Sequence, residues 1–341
     1  MKNPGKRIRR FSGIVEDKAV LGKFLKSKES VYDAFDELKR ARGNAFTIYS
    51  EGVPLSCILW LPKNVKKSQK NPAIVVARGF ASIKEFVTPG FAKRLNEEGY
   101  IVMGFDYRGI GKSGGVPGRH IPLECCEDIR ACMTYLEKRE DVDPQKIGLL
   151  GDSMGGSHVI QAAGVDSRAK ATISYGGPGD MVRWFRGLVG YQRFIEWKKR
   201  IEEDRRQRVT TGKSEYVSSF DFLAFSEREK AEWDEIKKTY PQQMPPITIE
   251  TVEKYLEYFP EHVVDKIAPR ALFLVTTETG IVVPPDETLF LYEKAKDPKK
   301  LWVIPPSTAE FRYATHMHGE GYTEPLAKAF IDFYKEYIPP A

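Results

Sequence analysis

Residues 151–156 read GDSMGG and directly follow the apolar run IGLL at residues 147–150. This order predicts a strand that ends in a sharp turn, presents the hydroxyl of Ser153 and continues as a helix. Small neighbours are needed because the serine of such an elbow has a strained backbone. The first N–H groups of the helix have no acceptor inside it, so we expect the Met154 N–H to stabilise an oxyanion beside Ser153. The stretch therefore indicates a nucleophilic serine, against the alternative of a structural turn.

Length and composition are typical of a globular protein with a large core and an additional lobe. The chain has 341 residues, of which 41% are hydrophobic and 29% charged, and its net charge is +6. Basic and acidic residues are interleaved, without a basic stripe that carries aromatic residues, which argues against nucleic-acid binding. No apolar run is long enough to span a membrane, and no apolar signal core follows the first residues. These features predict a cytoplasmic protein that binds neither nucleic acid nor membrane.

The four cysteines do not form a pattern of disulfides or of metal ligands. They are Cys57, Cys125, Cys126 and Cys132, and three of them fall on one predicted helix. Neither the geometry of that helix nor the neighbouring residues indicate a zinc site. We therefore expect reduced thiols and no metal.

The sequence pattern divides the chain into segments. Residues 1–42 form a predicted N-terminal helical arm, because apolar residues recur there at helical spacing. Residues 43–177 and 266–341 alternate apolar strands with helices, which predicts the two parts of one α/β core, with a mostly parallel central sheet and helices on both faces. The predicted strands are residues 45–50, 55–61, 73–77, 100–105, 146–151, 171–175, 271–276 and 301–305.

Residues 178–265 interrupt this alternation. The segment is highly charged and helix-prone, and it carries many aromatic residues, among them Trp184, Trp197 and Trp233. Ligands of parallel α/β sheets bind outside the carboxyl ends of the strands, which is the edge to which the predicted elbow points. The segment is therefore predicted to be a helical cap over the active site. The alternative is a side lobe whose aromatic residues only pack among themselves.

A serine nucleophile needs a base, and the chain has five histidines. In hydrolases with this elbow, the acid and then the histidine follow the serine along the chain, on loops after later strands. His316 and His318 lie between the last predicted strand and the last helix, where this order puts the base; we prefer His316, and a solvated loop histidine is the alternative. The others lie elsewhere: His120 precedes the elbow, His158 is on the elbow helix and is expected to pack locally, and His262 is in the insertion.

The acid that orients the histidine is expected on the loop after residues 271–276. Glu278 is the first carboxylate of that loop, whereas Asp286 lies beyond two prolines and is expected to cap the following helix. Asp180, after the preceding strand, is an alternative acid because the loops on that edge converge. The sequence leaves the choice among the three carboxylates open.

The second oxyanion donor is expected on the loop after residues 73–77, which reads RGFAS at residues 78–82. Gly79 permits a close approach of the backbone to a substrate, so the N–H of Phe80 is the predicted partner of the elbow N–H. Arg78 either contacts an anionic group of a substrate or serves the structure alone.

Together these stretches resemble the α/β-hydrolase superfamily. The resemblance runs from about residue 46 to the C-terminus and rests on residues 105–115 (FDYRGIGKSGG), 128–130 (DIR), 142–148 (VDPQKIG), 151–156 (GDSMGG) and 283–285 (VPP). Within the superfamily, the chain is similar to dienelactone-hydrolase-like and peptidase-S15-like esterases with a helical insertion. The resemblance implies an ester, thioester, lactone or activated C–C substrate, no metal and no redox cofactor.

Some positions depart from the pattern of this family. Gly280 stands where an aspartate usually precedes the VPP segment, and residues 306–310 (PSTAE) stand where a histidine usually follows the last strand closely. Arg78 replaces the histidine that usually precedes Gly79. Either the long final loop and Glu278 supply the base and the acid, or the triad is incomplete.

The sequence as a whole predicts a serine hydrolase that acts on a small to medium-sized, partly apolar carbonyl substrate. Ser153 attacks, His316 relays the proton, Glu278 orients the histidine, and the N–H groups of Phe80 and Met154 hold the oxyanion. Two alternatives stay open: another reaction in the same pocket, such as C–C cleavage, acyl transfer or lyase chemistry, or a ligand-binding protein without catalysis. The N-terminal arm packs either on its own body or on a second copy, so a homodimer is also open.

Overall fold

A sheet of eight strands forms the centre of the protein. The computed structural model describes residues 43–63, 69–86, 88–278, 280, 282–305 and 324–340. The strands are β1 (Asn44–Ser50), β2 (Val53–Trp60), β3 (Asn71–Ala77), β4 (Ile101–Phe105), β5 (Val142–Asp152), β6 (Ala169–Tyr175), β7 (Tyr216–Val217), β8 (Ile247–Thr248), β9 (Ala271–Thr277) and β10 (Lys299–Ile304). The short strands β7 and β8 pair only with each other, and the remaining eight form the central sheet.

The central sheet is mostly parallel, as predicted. Its strand order is β1-β2-β4-β3-β5-β6-β9-β10. The pairs β1–β2 and β2–β4 are antiparallel, and every pair from β4 to β10 is parallel. Strand β5 begins four residues before its predicted start at residue 146, because Val142 already pairs with Asn71 of β3. The parallel order brings the carboxyl ends of β3, β5, β6 and β9 to one edge of the sheet.

Helices cover both faces of the sheet. The α-helices of the described residues are α1 (Thr88–Glu97), α2 (Pro122–Glu137), α3 (Met154–Val165), α4 (Met181–Val189), α5 (Tyr191–Thr211), α6 (Ser219–Phe222), α7 (Glu227–Thr239), α8 (Ile249–Tyr255), α9 (Pro285–Lys294) and α10 (Glu324–Tyr337). Side chains of a strand alternate between the faces. Ile74 and Val76 of β3 therefore pack in one apolar cluster with α1 and α10, whereas Val75 packs in another with α2 and α3.

The segment between β6 and β9 contains α4 to α8 and the small ladder of β7 and β8. Its helices begin where the sequence provides caps: Asp180 caps α4, and Ser226 and Glu229 form a capping box at the start of α7. Buried aromatic residues of the segment, such as Trp197 and Phe222, belong to the same apolar cluster as α2 and α3. The segment is thus packed on the α/β core and is called the insertion below.

Ion pairs fasten both ends of the insertion to α9. Glu287 of α9 accepts the N–H of Gly179 at 3.0 Å and pairs with Arg183 Nε at 2.7 Å. Arg183 also contacts Glu261, near the end of the insertion, at 2.9 Å, and Lys294 of α9 pairs with Glu261 at 2.5 Å. Because Glu287 and Glu261 are buried, their cationic partners are needed to offset the loss of hydration.

The predictions for the N-terminal arm (residues 1–42), for His316 and for His318 concern residues that lie outside the described ranges.

The four cysteines are all buried and free of disulfide bonds. Within the described ranges, no helix has both the length and the apolarity needed to cross a membrane.

Candidate active site

Ser153 lies on a sharp turn between β5 and α3. Its φ of 51° and ψ of −127° fall in a region that residues with a side chain rarely adopt. Two backbone hydrogen bonds hold the turn: the Ser153 N–H donates to Tyr175 O at 2.8 Å, and the Gly156 N–H donates to Ser153 O at 2.8 Å. The predicted order of strand, sharp turn and helix is therefore observed, and the serine stands at the carboxyl ends of the parallel strands.

The turn closes because Gly151 and Gly155, on either side of it, have no side chain. A Cβ on Gly151 would lie 2.1 Å from Gly155 O, and a Cβ on Gly155 would lie 2.1 Å from Ala77 O. Both distances are far shorter than van der Waals contact. A Cβ on Gly79, in the loop after β3, would lie 3.2 Å from the Cβ of Ser153. The backbone of β3 and of its loop therefore packs directly on the elbow.

Arg78 forms an ion pair with Asp152, the residue before the serine. Its Nη1 donates to Asp152 Oδ1, and both side chains are largely buried. Burial raises the pKa of the Asp152 carboxyl above its ordinary value, although the Arg78 guanidinium opposes that rise. The Arg78 charge therefore compensates a buried carboxylate next to the elbow, which is a structural role. Arg78 also lines the cavity at Ser153, so contact with an anionic group of a substrate stays an alternative.

A cavity of about 70 Å³ lies at Ser153, between two walls. The core wall consists of Arg78, Gly79, Phe80, Ser82, Phe86, Asp152, Ser153, Met154 and Val282. The insertion wall consists of Trp184, Leu223, Phe225, Trp233, Gln243 and Met244. Both residues predicted to hold the oxyanion, Phe80 and Met154, lie on the same wall as the serine. Most of the insertion wall is apolar or aromatic, which suits an apolar part of a ligand.

Gln243 joins the insertion to the loop after β3. Its Oε1 accepts the Ile83 N–H at 2.9 Å, and its Nε2 donates to Ser82 Oγ at 2.9 Å. The next residue, Met244, donates its N–H to Ala81 O at 3.1 Å. Gln243 is not among the predicted site residues, and no local pattern marks it, because Ile83 lies 160 residues earlier in the chain.

A buried ion pair holds the far end of the same loop. Lys84 Nζ lies 2.7 Å from Asp106 Oδ2, and the Lys84 N–H donates to Asp106 Oδ1 at 2.8 Å. Asp106 also accepts the Lys112 N–H at 2.9 Å. Burial raises the pKa of Asp106, and the Lys84 ammonium opposes the rise. Residues 105–115, which carried part of the family resemblance, thus anchor the loop that contains the predicted oxyanion donor.

The loop after β9, where the acid is expected, contacts the insertion. Trp184 Nε1 of the insertion donates to Val282 O at 2.7 Å. Glu278, the predicted acid, lies at the end of β9, and its N–H donates to Ile304 O of β10 at 2.8 Å. The Glu278 side chain is exposed and belongs to neither wall of the cavity. Its role as the acid stays a prediction.

The two alternative acids have other positions in the fold. Asp180 Oδ1 accepts the N–H groups of Val182 and Arg183 at 2.9 Å each, so this carboxylate is engaged in capping α4. Asp286 lies in the first turn of α9. The expectation that it caps this helix is wrong, because Pro284 is at the N-cap and no side chain caps that end. Neither carboxylate lines the cavity.

Three histidines are described, and none of them lines the cavity. His120 and His158 are fully buried. Tyr255 Oη lies between them, 2.8 Å from His120 Nδ1 and 3.2 Å from His158 Nε2. The other ring nitrogen of His158, Nδ1, lies 3.2 Å from Tyr107 Oη. Burial lowers the pKa of both rings, that of His120 to about 3, so both are neutral. The expectation that His158 packs locally is therefore confirmed, while His262 lies in a short 3₁₀ turn of the insertion.

The preferred base is not tested by this geometry. His316 and His318 lie outside the described residues. No histidine of the described ranges is placed to take a proton from Ser153. The described part of the site is therefore an elbow, two candidate oxyanion donors and a lined cavity.

Comparison with known proteins adds a family to this geometry. The family model described as "Serine aminopeptidase, S33" matches residues 68–178, a range that contains β3, the elbow and β6. An uncharacterized 31.7 kDa protein of Escherichia coli, from the traX-finO intergenic region, is 31% identical over 224 residues. That match covers 66% of this chain and 78% of the Escherichia coli protein.

Two fungal proteins are similar over different lengths. The thiohydrolase AneE of Aspergillus aculeatus is 38% identical over 104 residues, which cover 30% of this chain and 33% of AneE. The polyketide transferase GrgF of a Penicillium species is 25% identical over 253 residues, which cover 70% of this chain and 80% of GrgF. The crystal structure of GrgF, described as an α/β hydrolase, aligns with a TM-score of 0.71 and 22% identity over 86% of this chain and 98% of that chain.

Proposed function

We propose a specific activity for this chain, which belongs to the α/β-hydrolase family. In this proposal it is a serine hydrolase that forms an acyl-enzyme on Ser153. Its substrate is an ester, thioester or lactone of small to medium size with a partly apolar acyl group. The observation that carries the proposal is the strained turn at Ser153 on the wall of a mainly apolar cavity. Such strain is costly and is maintained where it holds a reactive group in place.

The chemistry follows from the groups around the serine. The Ser153 oxygen attacks the carbonyl carbon while the base removes its proton, and the carbonyl oxygen becomes an oxyanion between the N–H groups of Phe80 and Met154. Collapse of this intermediate breaks the C–O or C–S bond, and the protonated base donates its proton to the leaving group. Water then attacks the acyl-enzyme by the same route and releases the acid. No step needs a metal or a redox cofactor.

We assign the base to His316 and the orienting acid to Glu278 as parts of this proposal. Chain order supports His316, with His318 as its alternative, because both follow β10. The positions of the other histidines also support it, since none of the three described rings lines the cavity. Glu278 is favoured over Asp180 because the latter carboxylate is engaged in capping α4.

The insertion is proposed to act as a cap, with residues 178–265 placed between the core segments 43–177 and 266–341. Its contribution of one wall of the cavity supports this role. In this proposal the partner is a small-molecule carbonyl compound, with no nucleic-acid or membrane partner, and the protein acts in the cytoplasm. The N-terminal arm packs in this proposal either on its own body or on a second copy, and size measurements in solution would distinguish a monomer from a homodimer.

The first test is labelling of the full chain with a fluorophosphonate, which reacts with an activated serine. We expect stoichiometric labelling that is lost in Ser153→Ala and in one of His316→Ala and His318→Ala. The histidine variant that loses labelling identifies the base. A folded wild-type protein that is not labelled would overturn the hydrolase proposal and favour a ligand-binding role without catalysis.

Acyl transfer in the same pocket is the second candidate. The observation that favours it is the similarity to a polyketide transferase over 80% of that protein. The two reactions share the acyl-enzyme and differ in what attacks it. Product analysis of a labelled acyl thioester, with and without an added alcohol or amine acceptor, separates them: hydrolysis yields the free acid in both samples, and transfer yields a new ester or amide.

A further inference from the structure

The contact between the insertion and the loop after β3 is made by directed hydrogen bonds in a place closed to water. Gln243 and Ala81 are fully buried, and Ser82 and Met244 are each only 4% exposed. Gln243 binds the hydroxyl of Ser82 and the N–H of Ile83, and the Met244 N–H binds Ala81 O. A buried amide that loses its partners cannot replace them with water. These bonds therefore fix the relative positions of the two segments.

Two residues of this contact have strained backbones. Ala81 has a φ of 49° and Met244 a φ of 51°, in the left-handed region that residues other than glycine seldom adopt. Strain of this kind persists only where the surroundings enforce it. The hydrogen bond from the Met244 N–H to Ala81 O joins the two strained residues. The hydrogen bonds of the preceding residue, Gln243, hold the residues that directly follow Ala81. The shape of the loop at Ala81 is therefore maintained by the insertion.

This shape bears on the oxyanion site because Phe80 directly precedes Ala81. An N–H group stabilises an oxyanion only when it is held in place before the charge develops. The structure assigns to Gln243 the role of a positioning residue: it holds Ser82 and Ile83 so that the Phe80 N–H stays directed at the oxyanion. This inference rests on the proposed function, since it takes Phe80 as an oxyanion donor.

The remaining anchors of the loop make this role testable. Lys84 stays paired with Asp106 at one end, and Gly79 stays packed on Ser153 at the other. Loss of the Gln243 bonds should therefore shift the middle of the loop without releasing it from the core. The expected result is a reaction that slows while substrate binding is largely kept.

The test compares three variants of the full chain. Gln243→Met keeps the length of the side chain and removes its hydrogen bonds to Ser82 and Ile83, and Ser82→Ala removes only those to Ser82. The control, Tyr216→Phe, removes another bond between the insertion and the core, from Tyr216 Oη to Pro117 O at 2.9 Å, which does not touch this loop. We measure the second-order rate of fluorophosphonate labelling, and kcat and KM with a p-nitrophenyl ester.

For Gln243→Met we expect labelling and kcat to fall about 10- to 100-fold with KM changed little, since removal of one oxyanion donor costs roughly 10²- to 10³-fold. Ser82→Ala should lose less of the labelling rate and of kcat, and Tyr216→Phe should match the wild type in both. Gln243→Glu, which keeps an acceptor for the Ile83 N–H, should recover part of the loss. A rise in KM with unchanged kcat, or equal losses in Gln243→Met and Tyr216→Phe, would overturn the assignment.

Hydrogen exchange of the backbone amides of residues 80–84 is a second measurement, which does not depend on catalysis. We expect faster exchange there in Gln243→Met, with or without Ser153→Ala. Faster exchange with wild-type labelling would show that the bonds hold the loop but do not position a donor, which overturns the inference. A wild-type protein that is not labelled, with exchange still dependent on Gln243, would overturn the proposed function instead.

Discussion

The two walls of the cavity are built in different ways. The core wall takes its shape from the backbone: Gly79 and Gly155 let the strand β3 and its loop approach the elbow so closely that side chains would collide. The insertion wall takes its shape from side chains. The Phe225 and Trp233 rings stack with their centroids 6.3 Å apart and their planes at 8° to each other. The ring centroid of Phe86, on the core wall, lies 5.8 Å from that of Trp233. The core wall thus fixes the position of Ser153 through backbone contacts, whereas packing of large side chains shapes the opposite side of the cavity.

The largest effect should come from adding one methyl group to the core wall. In Gly155→Ala the new Cβ would meet Ala77 O at 2.1 Å, so the backbone of α3 or β3 has to move. We expect the free energy of unfolding to fall by about 3 kcal/mol or more. Urea unfolding followed by circular dichroism measures this change.

Gly187, in α4 of the insertion, provides the matched control. Apart from its chain neighbours and the backbone of its own helix, no atom lies within 4 Å of a Cβ built on Gly187. The residue lies within α4, so its backbone is helical. Gly187→Ala should raise the free energy of unfolding by about 0.5–1 kcal/mol, because alanine is the better helix former. Equal losses at the two positions would contradict the view that only the core wall depends on backbone contact.

The same difference explains how far the sequence predicts this structure. The parallel sheet, its helices and the turn at Ser153 are encoded locally, by apolar runs and by the small residues around the serine. Phe80 and Met154 are predicted donors because they are neighbours of glycine-rich turns, and both line the core wall. Local patterns are sufficient where the chain neighbours are also the spatial neighbours.

Long-range partners are invisible to such patterns. Gln243 contacts Ile83 across 160 residues, and the ion pair of Arg78 joins it to Asp152, 74 residues later. Asp286 was expected to cap α9 from its position after two prolines, but Pro284 takes the N-cap. A cap depends on the backbone angle at one residue, which composition alone does not set. The choice of acid likewise depends on where side chains meet in space.

An intermediate effect should distinguish two tryptophans of the insertion wall. Trp184 Nε1 donates to Val282 O, whereas the buried Trp233 Nε1 has no acceptor among the residues that the structure describes. Both side chains are buried, so replacement by phenylalanine removes a similar volume. Trp184→Phe also leaves a carbonyl without its donor and should lower the free energy of unfolding by about 1 kcal/mol more than Trp233→Phe. Urea unfolding of both variants measures this difference; a larger loss in Trp233→Phe would contradict it.

The smallest effect concerns the charges that fasten the insertion. The Glu261 carboxylate is buried, which alone would raise its pKa, but its hydrogen bonds to Lys294 and Arg183 lower the pKa below 4.5. A pKa that is lower in the folded state stabilises the protein above pH about 4.5, and this contribution is lost as the pH falls through the folded value. Glu261→Gln should therefore cost about 1 kcal/mol at pH 7 after solvent screening, and less near pH 3. Asp265→Asn, which breaks only the exposed pair with Lys296, should cost nearly nothing at either pH. If urea unfolding shows the same cost for Glu261→Gln at both pH values, packing and not charge fastens this end of the insertion to α9.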